Sequence, residues 1–243
     1  MTSNIVSFCD KFSGVEGQDI LWDRMLEELK PYGLGEILYT FSTFPNHGSI
    51  HDFARGAYLK TNYPEEYQEA KNNFIDDPFW DICVFENQTV LWSNTSLVED
   101  LPPEQKASVD IDWDFNIMTG VALSSRFNNG HGGVAIGLHA PNMSWVEFDK
   151  IWAEHEVAIT DLAAAFDICM REDHIDGIYP LSAREKECLL WLSSGLRPQQ
   201  IAYRLDISPK TVEKHIASAR SKLGADTVAQ AVAKSLIFGL INP

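Results

Sequence analysis

Long apolar runs are absent from this chain of 243 residues. A bilayer-spanning helix needs about 20 consecutive apolar residues, so no membrane partner is expected. The chain also lacks a basic-then-apolar start, the mark of a secretory signal. Cysteine is scarce, and Cys9, Cys83, Cys169 and Cys188 stand apart, without CxxC or Cys/His spacing. That argues against a disulfide framework and a zinc site, and fits reduced thiols in a cytoplasm. His47, His51, His131, His139 and His155 show no metal-ligand spacing either. There is no GxSxG, no P-loop and no GxGxxG, so no catalytic residue, cofactor or metal is expected. Basic residues are few: 19 Lys and Arg face 35 Asp and Glu, a formal net charge of −16.

What is present is enough apolar residue for a core. Hydrophobic residues make up 45% and charged residues 22%, the balance of a soluble globular protein rather than a disordered one. The length allows two modest domains or one large one. The few basic residues are concentrated near the C-terminus. Residues 177–243 hold nine Lys and Arg against five Asp and Glu; residues 1–176 hold ten against thirty. The acidic part repels a polyanion and the basic part can approach one, so two units with different partners are expected.

The polar stretch REDHIDGIYP, 171–180, reads as a short linker between a unit at 1–170 and a second at 181–243. Within the first unit, 18–29 has helical spacing (Ile20, Leu21, Met25, Leu26, Leu29), and 65–74 and 102–109 also read as helices. EILYTFSTF at 36–44 reads as a strand, 89–92 as extended, and 120–127 and 132–139 as paired strands. A long amphipathic helix over 145–170 opens with a Ser144/Glu147 capping box. These elements predict an α+β protein whose N-terminal domain is an α/β/α sandwich around an antiparallel sheet.

The second unit reads as four helices. Ser182 and Glu185 form a capping box, and Pro198 opens a second helix that buries Ile201, Ala202 and Leu205. Asp206 and Ile207 make a turn, and Ser208 caps a third helix with Pro209 in its first position. There Val212, Ile216, Ala219 and Leu223 form an inward stripe, while Lys210, Lys214, Ala217, Ser218 and Ser221 point away. The closing helix, 227–238, presents small apolar residues such as Ala231 and Ala233. Two short helices, a tight turn and a basic outward face suggest a helix-turn-helix whose second helix enters the DNA major groove. Ser208 and the free amides of that helix suit phosphate, and Lys210 and Lys214 can reach phosphates or guanine edges.

The same residues resemble a family. LSAREKECLLWLSSGLRPQQIAYRLDISPKTVEKHIASARSKLG and the closing Gly-Leu-Ile are similar to the DNA-binding domain of LuxR-type transcription regulators, over about a quarter of the chain. Glu185, Leu189 and Gly195 fall where that family has its characteristic Glu, Leu and Gly. Some relatives carry Arg at the positions of Glu213 and Ala217, so the operator sequence does not carry over. The resemblance implies double-stranded DNA as partner, a homodimer, and a DNA face that includes Ser208, Lys210, Thr211, Glu213, Lys214, Ala217 and Ser218.

No phosphate-receiver succession of strands and helices precedes this unit. The first unit instead resembles the autoinducer-binding domain of acyl-homoserine-lactone receptors, through Asp77-Pro78, Trp92, Gly120 and TNYPEEY. By that resemblance Asp77 takes the signal's amide N–H and Trp92 packs over the lactone. Tyr63 and Tyr67, spaced i, i+4, stand for the family's Trp/Tyr pair. The alternative register puts Tyr67 at the Trp position and Lys71 at the Tyr. Phe79 and Trp80 stand where small aliphatic residues are usual and reshape the tail pocket. The expected function is a cytoplasmic, quorum-sensing transcription regulator. Two rivals stand beside it: a LuxR-type regulator with a different signal or none, and a small-molecule-binding or catalytic sensor whose helical tail does not bind DNA.

Overall fold

A computed structural model describes residues 5–43, 54, 57–71 and 76–243. Phe44, the expected helical residues 72–74, and His47 and His51 lie outside the described residues. Alternation along β1 (Glu36–Thr43) sends Ile37, Tyr39 and Phe41 to one face and Leu38 to the other. β4 (Gly120–Phe127) and β5 (Gly132–His139) follow the same rule: Val121, Leu123, Val134 and Leu138 join the first face. With β2 (Tyr58–Thr61) and β3 (Val90–Leu91) they form a five-stranded antiparallel sheet, ordered β2-β1-β5-β4-β3.

Helices cover both faces. On the first lie α1 (Ile5–Phe12), α2 (Gln18–Leu29) and α6 (Trp145–Glu172), which bury Phe12, Met25, Phe148 and Phe166 against the sheet. The second carries α3 (Glu65–Ala70), α4 (Pro78–Glu86) and α5 (Pro103–Asp114). The Ser144/Glu147 capping box is formed, with both reciprocal bonds to backbone N–H groups. This is the expected α/β/α sandwich. Within α2, Trp22 rather than Ile20 takes the inner face; Ile20 is exposed.

Four helices follow: α8 (Ala183–Ser193), α9 (Pro198–Leu205), α10 (Pro209–Lys222) and α11 (Val228–Ile237). The first three close on Cys188, Ile201, Ala202, Val212 and Ile216, while α11 packs through Ala231 into the cluster that holds Leu189, Ala219 and Leu223. Asp206 takes the left-handed conformation, φ 52°, and so turns the chain sharply between α9 and α10. Ala231 is fully buried, so the outward face of α11 carries Ala229, Ala233 and Leu236 instead.

The stretch at 171–180 is more structured than its polarity predicts. α6 runs on to Glu172, α7 spans Ile175–Ile178, and Ile175, Ile178 and Tyr179 pack on the main core. Beyond α11, Phe238 stacks on Tyr179 (5.3 Å between ring centroids) and meets Phe41 edge-on at 5.4 Å. One apolar cluster thus joins the sheet to the helical unit.

Candidate functional sites: a sheet-backed cavity and a basic helix

The second face of the sheet and the helices over it enclose a cavity of about 30 Å³. All six expected ligand residues line it: Tyr63, Tyr67, Asp77, Phe79, Trp80 and Trp92. A second void of about 20 Å³ shares Phe79, Trp92, Asp112 and Ile117 with the first. As packed, such spaces hold a water or two, whereas a signal-sized ligand needs several hundred Å³. Phe79 and Trp92 are the aromatic rings that line both voids.

Short-range rules put each group in place. Asp77 caps α4: its Oδ1 accepts from the Phe79 amide at 2.9 Å, with Pro78 in the first position. That turn aims Phe79 and Trp80 at the cavity. Tyr63 precedes α3, Tyr67 lies within it, and their rings meet edge-on at 5.4 Å. Trp92 leans over Gly120, where an added Cβ would lie 2.8 Å from the indole and 2.1 Å from the Leu138 carbonyl oxygen. The indole also stacks on His139, centroids 6.0 Å apart, while Glu36 holds His139 Nδ1 at 2.8 Å. Trp92 Nε1 is buried and has no hydrogen-bond partner among the described residues.

Behind Asp77 and Asp112, which line the cavity, sits a buried polar cluster that also includes Lys71 and Ser108. The Lys71 ammonium donates to Asp77 Oδ2 (2.9 Å) and Ser108 Oγ (2.7 Å) and pairs with Asp112 Oδ1 at 2.8 Å. Tyr67 donates its hydroxyl to the same Asp112 oxygen at 2.7 Å. Burial pulls the Lys71 pKa down, but the two carboxylates outweigh it and hold it above the usual lysine value. Burial, with the Asp77 charge beside it, pushes Asp112 up to about 7 against the pull of Lys71 and Tyr67. Lys71 entered the sequence argument only as one of two registers. Asp112 and Ser108 are polar positions on the inner side of α5, a helix with hardly any apolar stripe, so periodicity did not reveal them.

In the helical unit, Ser208 caps α10 through the Thr211 amide at 3.1 Å, and its hydroxyl also bonds the Thr211 hydroxyl. Lys210, Glu213, Lys214 and Ala217 are exposed on one face, and Val212, Ile216 and Ala219 are buried on the other. Ser218 differs from the sequence expectation: it donates to Glu185 Oε1 at 2.6 Å and is half-buried. Lys222 reaches Glu185 Oε2 at 2.8 Å, and the Ser182 amide reaches the same oxygen at 2.7 Å. Glu185 therefore ties α8 to α10 and sets the presentation of the basic face. Burial raises its pKa, but these donors outweigh burial and bring it to about 2.

Comparison with known proteins matches both halves. A family model described as bacterial regulatory proteins, luxR family, matches residues 179–235. VanR, a transcriptional activator of Vibrio anguillarum, is 41% identical over 63 residues, which span 26% of this chain and 26% of VanR. The transcriptional regulatory protein FixJ of Rhizobium meliloti is 30% identical over 154 residues, 60% of this chain and 75% of FixJ. Escherichia coli SdiA has the same fold over 98% of both chains, with a TM-score of 0.54 at 20% identity. So does the N-acylhomoserine lactone dependent factor CepR2 of Burkholderia cenocepacia, over 66% of this chain and 89% of CepR2, with a TM-score of 0.50 at 14% identity. With a helix-turn-helix that matches the family model and a FixJ likeness that spans three quarters of that regulator, the chain belongs to the luxR family of bacterial regulatory proteins.

Proposed function

We propose that this chain is a signal-responsive, DNA-binding transcription regulator of the quorum-sensing type, acting in the cytoplasm as a homodimer. One observation carries the reading. A luxR-family helix-turn-helix with an exposed basic face shares a chain with a sheet-backed cavity on which Asp77, Trp92 and four further aromatic residues converge. The signal is an acyl-homoserine lactone. Its amide N–H bonds Asp77, whose oxygens each keep a lone pair beyond their present partners, and a carbonyl meets the unpartnered Trp92 N–H. Tyr63 and Tyr67 flank the head group, and the acyl tail displaces Phe79 and Trp80. The likeness to CepR2, a lactone-dependent factor, supports this choice.

On DNA, α10 enters the major groove. Ser208 and Lys210 meet phosphates, Glu213, Lys214 and Ala217 face base edges, and Thr211 and Ser218 flank them. Two copies pair through the exposed Ala229, Ala233 and Leu236 of α11. No catalytic residue, metal or cofactor takes part. The Lys71 ammonium on Asp77 supports a second reading, a signal with a different polar head.

Melting curves of the wild type and Asp77→Asn against a panel of acyl-homoserine lactones test the pocket. At about a hundred times Kd the wild type gains roughly 5–10 °C and Asp77→Asn gains much less. A wild type unmoved by the whole panel removes the lactone and favours the second reading.

A further inference from the structure

We propose that Lys71 is an internal counter-ion which lets the N-terminal domain fold without its signal. This rests on the reading of the cavity as the signal site. A carboxylate in an apolar pocket is costly unless paired, so a pocket built around a lone Asp would leave that Asp uncompensated until a ligand arrives. Here the chain supplies the partner. Lys71 has no exposed side-chain surface, and its three N–H bonds have Asp77 Oδ2, Asp112 Oδ1 and the Ser108 hydroxyl to meet. The Phe79 amide takes the other Asp77 oxygen, and Tyr67 adds a bond to Asp112.

The charged groups facing Lys71 are Asp77 from the start of α4 and Asp112 from α5; Tyr67 of α3 stands beside it, 5.9 Å from the ammonium to the ring centre. Three elements over the sheet are therefore joined by one ammonium. A lactone amide brings one neutral N–H to Asp77; the ammonium brings a full charge and three donors. The signal thus adds to a domain already tied together and modulates a folded regulator, rather than serving as a folding core. Truncating Lys71 to an apolar residue leaves two buried carboxylates without a cation and makes the domain depend on whatever else can reach Asp77.

The full chain is produced in a host that makes no acyl-homoserine lactone, as wild type, Lys71→Met and Lys71→Met/Asp77→Asn/Asp112→Asn. Solubility and cooperative melting are then measured. The wild type is expected to be soluble and to melt cooperatively with no lactone added. Lys71→Met is expected to lose soluble yield or to melt roughly 10 °C or more lower, as removal of one partner of a buried ion cluster does. The triple variant, with no unpaired charge left, is expected to recover most of that loss. A wild type that accumulates only when lactone is supplied overturns the proposal, as does a Lys71→Met protein that melts within a degree or two of wild type. A wild type that folds unaided and ignores the whole lactone panel upholds the role of Lys71 and removes the lactone instead.

Discussion

Asp77 does two jobs at once: it caps α4 and presents an oxygen to the cavity. Asn caps nearly as well, so Asp77→Asn keeps the turn and loses the charge. If the signal's amide donates to this carboxylate, affinity is expected to fall roughly tenfold to over a hundredfold, the range of about 1.5–3 kcal/mol for a charge-assisted bond. Calorimetric titration reads it directly, and unchanged affinity in a less stable protein would leave Asp77 as a helix cap and a partner of Lys71 with no part in binding the signal. Asp112 makes a separate prediction through pH. Its folded pKa of about 7 lies above the ordinary value of 3.8, so the folded chain binds that proton more tightly. Its contribution to stability is therefore greatest below about pH 4, declines as pH rises towards 7, and is flat above. Relative to Asp112→Asn, the wild-type melting temperature is expected to drop between pH 5 and pH 8; parallel curves would contradict it. Asp77, Trp92 and the Tyr63/Tyr67 pair were legible because their spacing resembles a family pattern, and Phe79 and Trp80 because they follow Asp77-Pro78 as departures from it. Lys71, Ser108 and Asp112 were not, since a compensated polar cluster depends on three elements meeting in space and leaves no period in the chain.

At the scale of elements, α10 was the most legible, because cap, Pro209, apolar stripe and basic face all agree locally. The strands β1, β4 and β5 also emerged within a residue or so, each eight residues long and rich in apolar or β-branched side chains. β2 has four residues, too few to show a period, and α4 (PFWDICVFE) is apolar nearly all round; α1 does carry helical spacing (Ile5, Phe8, Cys9, Phe12) that the sequence argument passed over. On the exposed face of α10, Lys210→Ala is expected to weaken DNA binding broadly and to lower its salt dependence by about one phosphate. Lys214→Ala is expected to shift sequence preference as well, and anisotropy titrations at several salt concentrations separate the two effects. Glu185 makes an acid-side prediction. With its pKa lowered from 4.5 to about 2, its stabilisation is present above about pH 4.5 and is lost as pH falls towards 2. Glu185→Gln is expected to melt lower at neutral pH and to lose part of that acid sensitivity. An unchanged acid limb would mean that the Lys222 and Ser218 bonds contribute little.

Over the whole molecule, the charge division seen in the sequence coincides with the fold. The acidic sandwich and the basic helical unit meet through an uncharged aromatic cluster of Phe41, Tyr179 and Phe238. That packing was not legible, because Phe238 reads locally as the end of an amphipathic helix and its neighbours lie about sixty and two hundred residues earlier in the chain. If two copies pair through α11 as proposed, two α10 helices lie on one face of a duplex, with half-site centres about one helical turn apart. The most direct measurement is selection of the full-length chain, with signal present, against a library of random duplexes, followed by footprinting of the enriched sequences. The expected result is a two-fold symmetric site with half-site centres about 10 base pairs apart, bound with steep salt dependence, and bound more weakly and with altered sequence preference by Lys214→Ala. Enrichment of no sequence over a scrambled duplex at any salt concentration would contradict the assignment of this chain as a DNA-binding regulator.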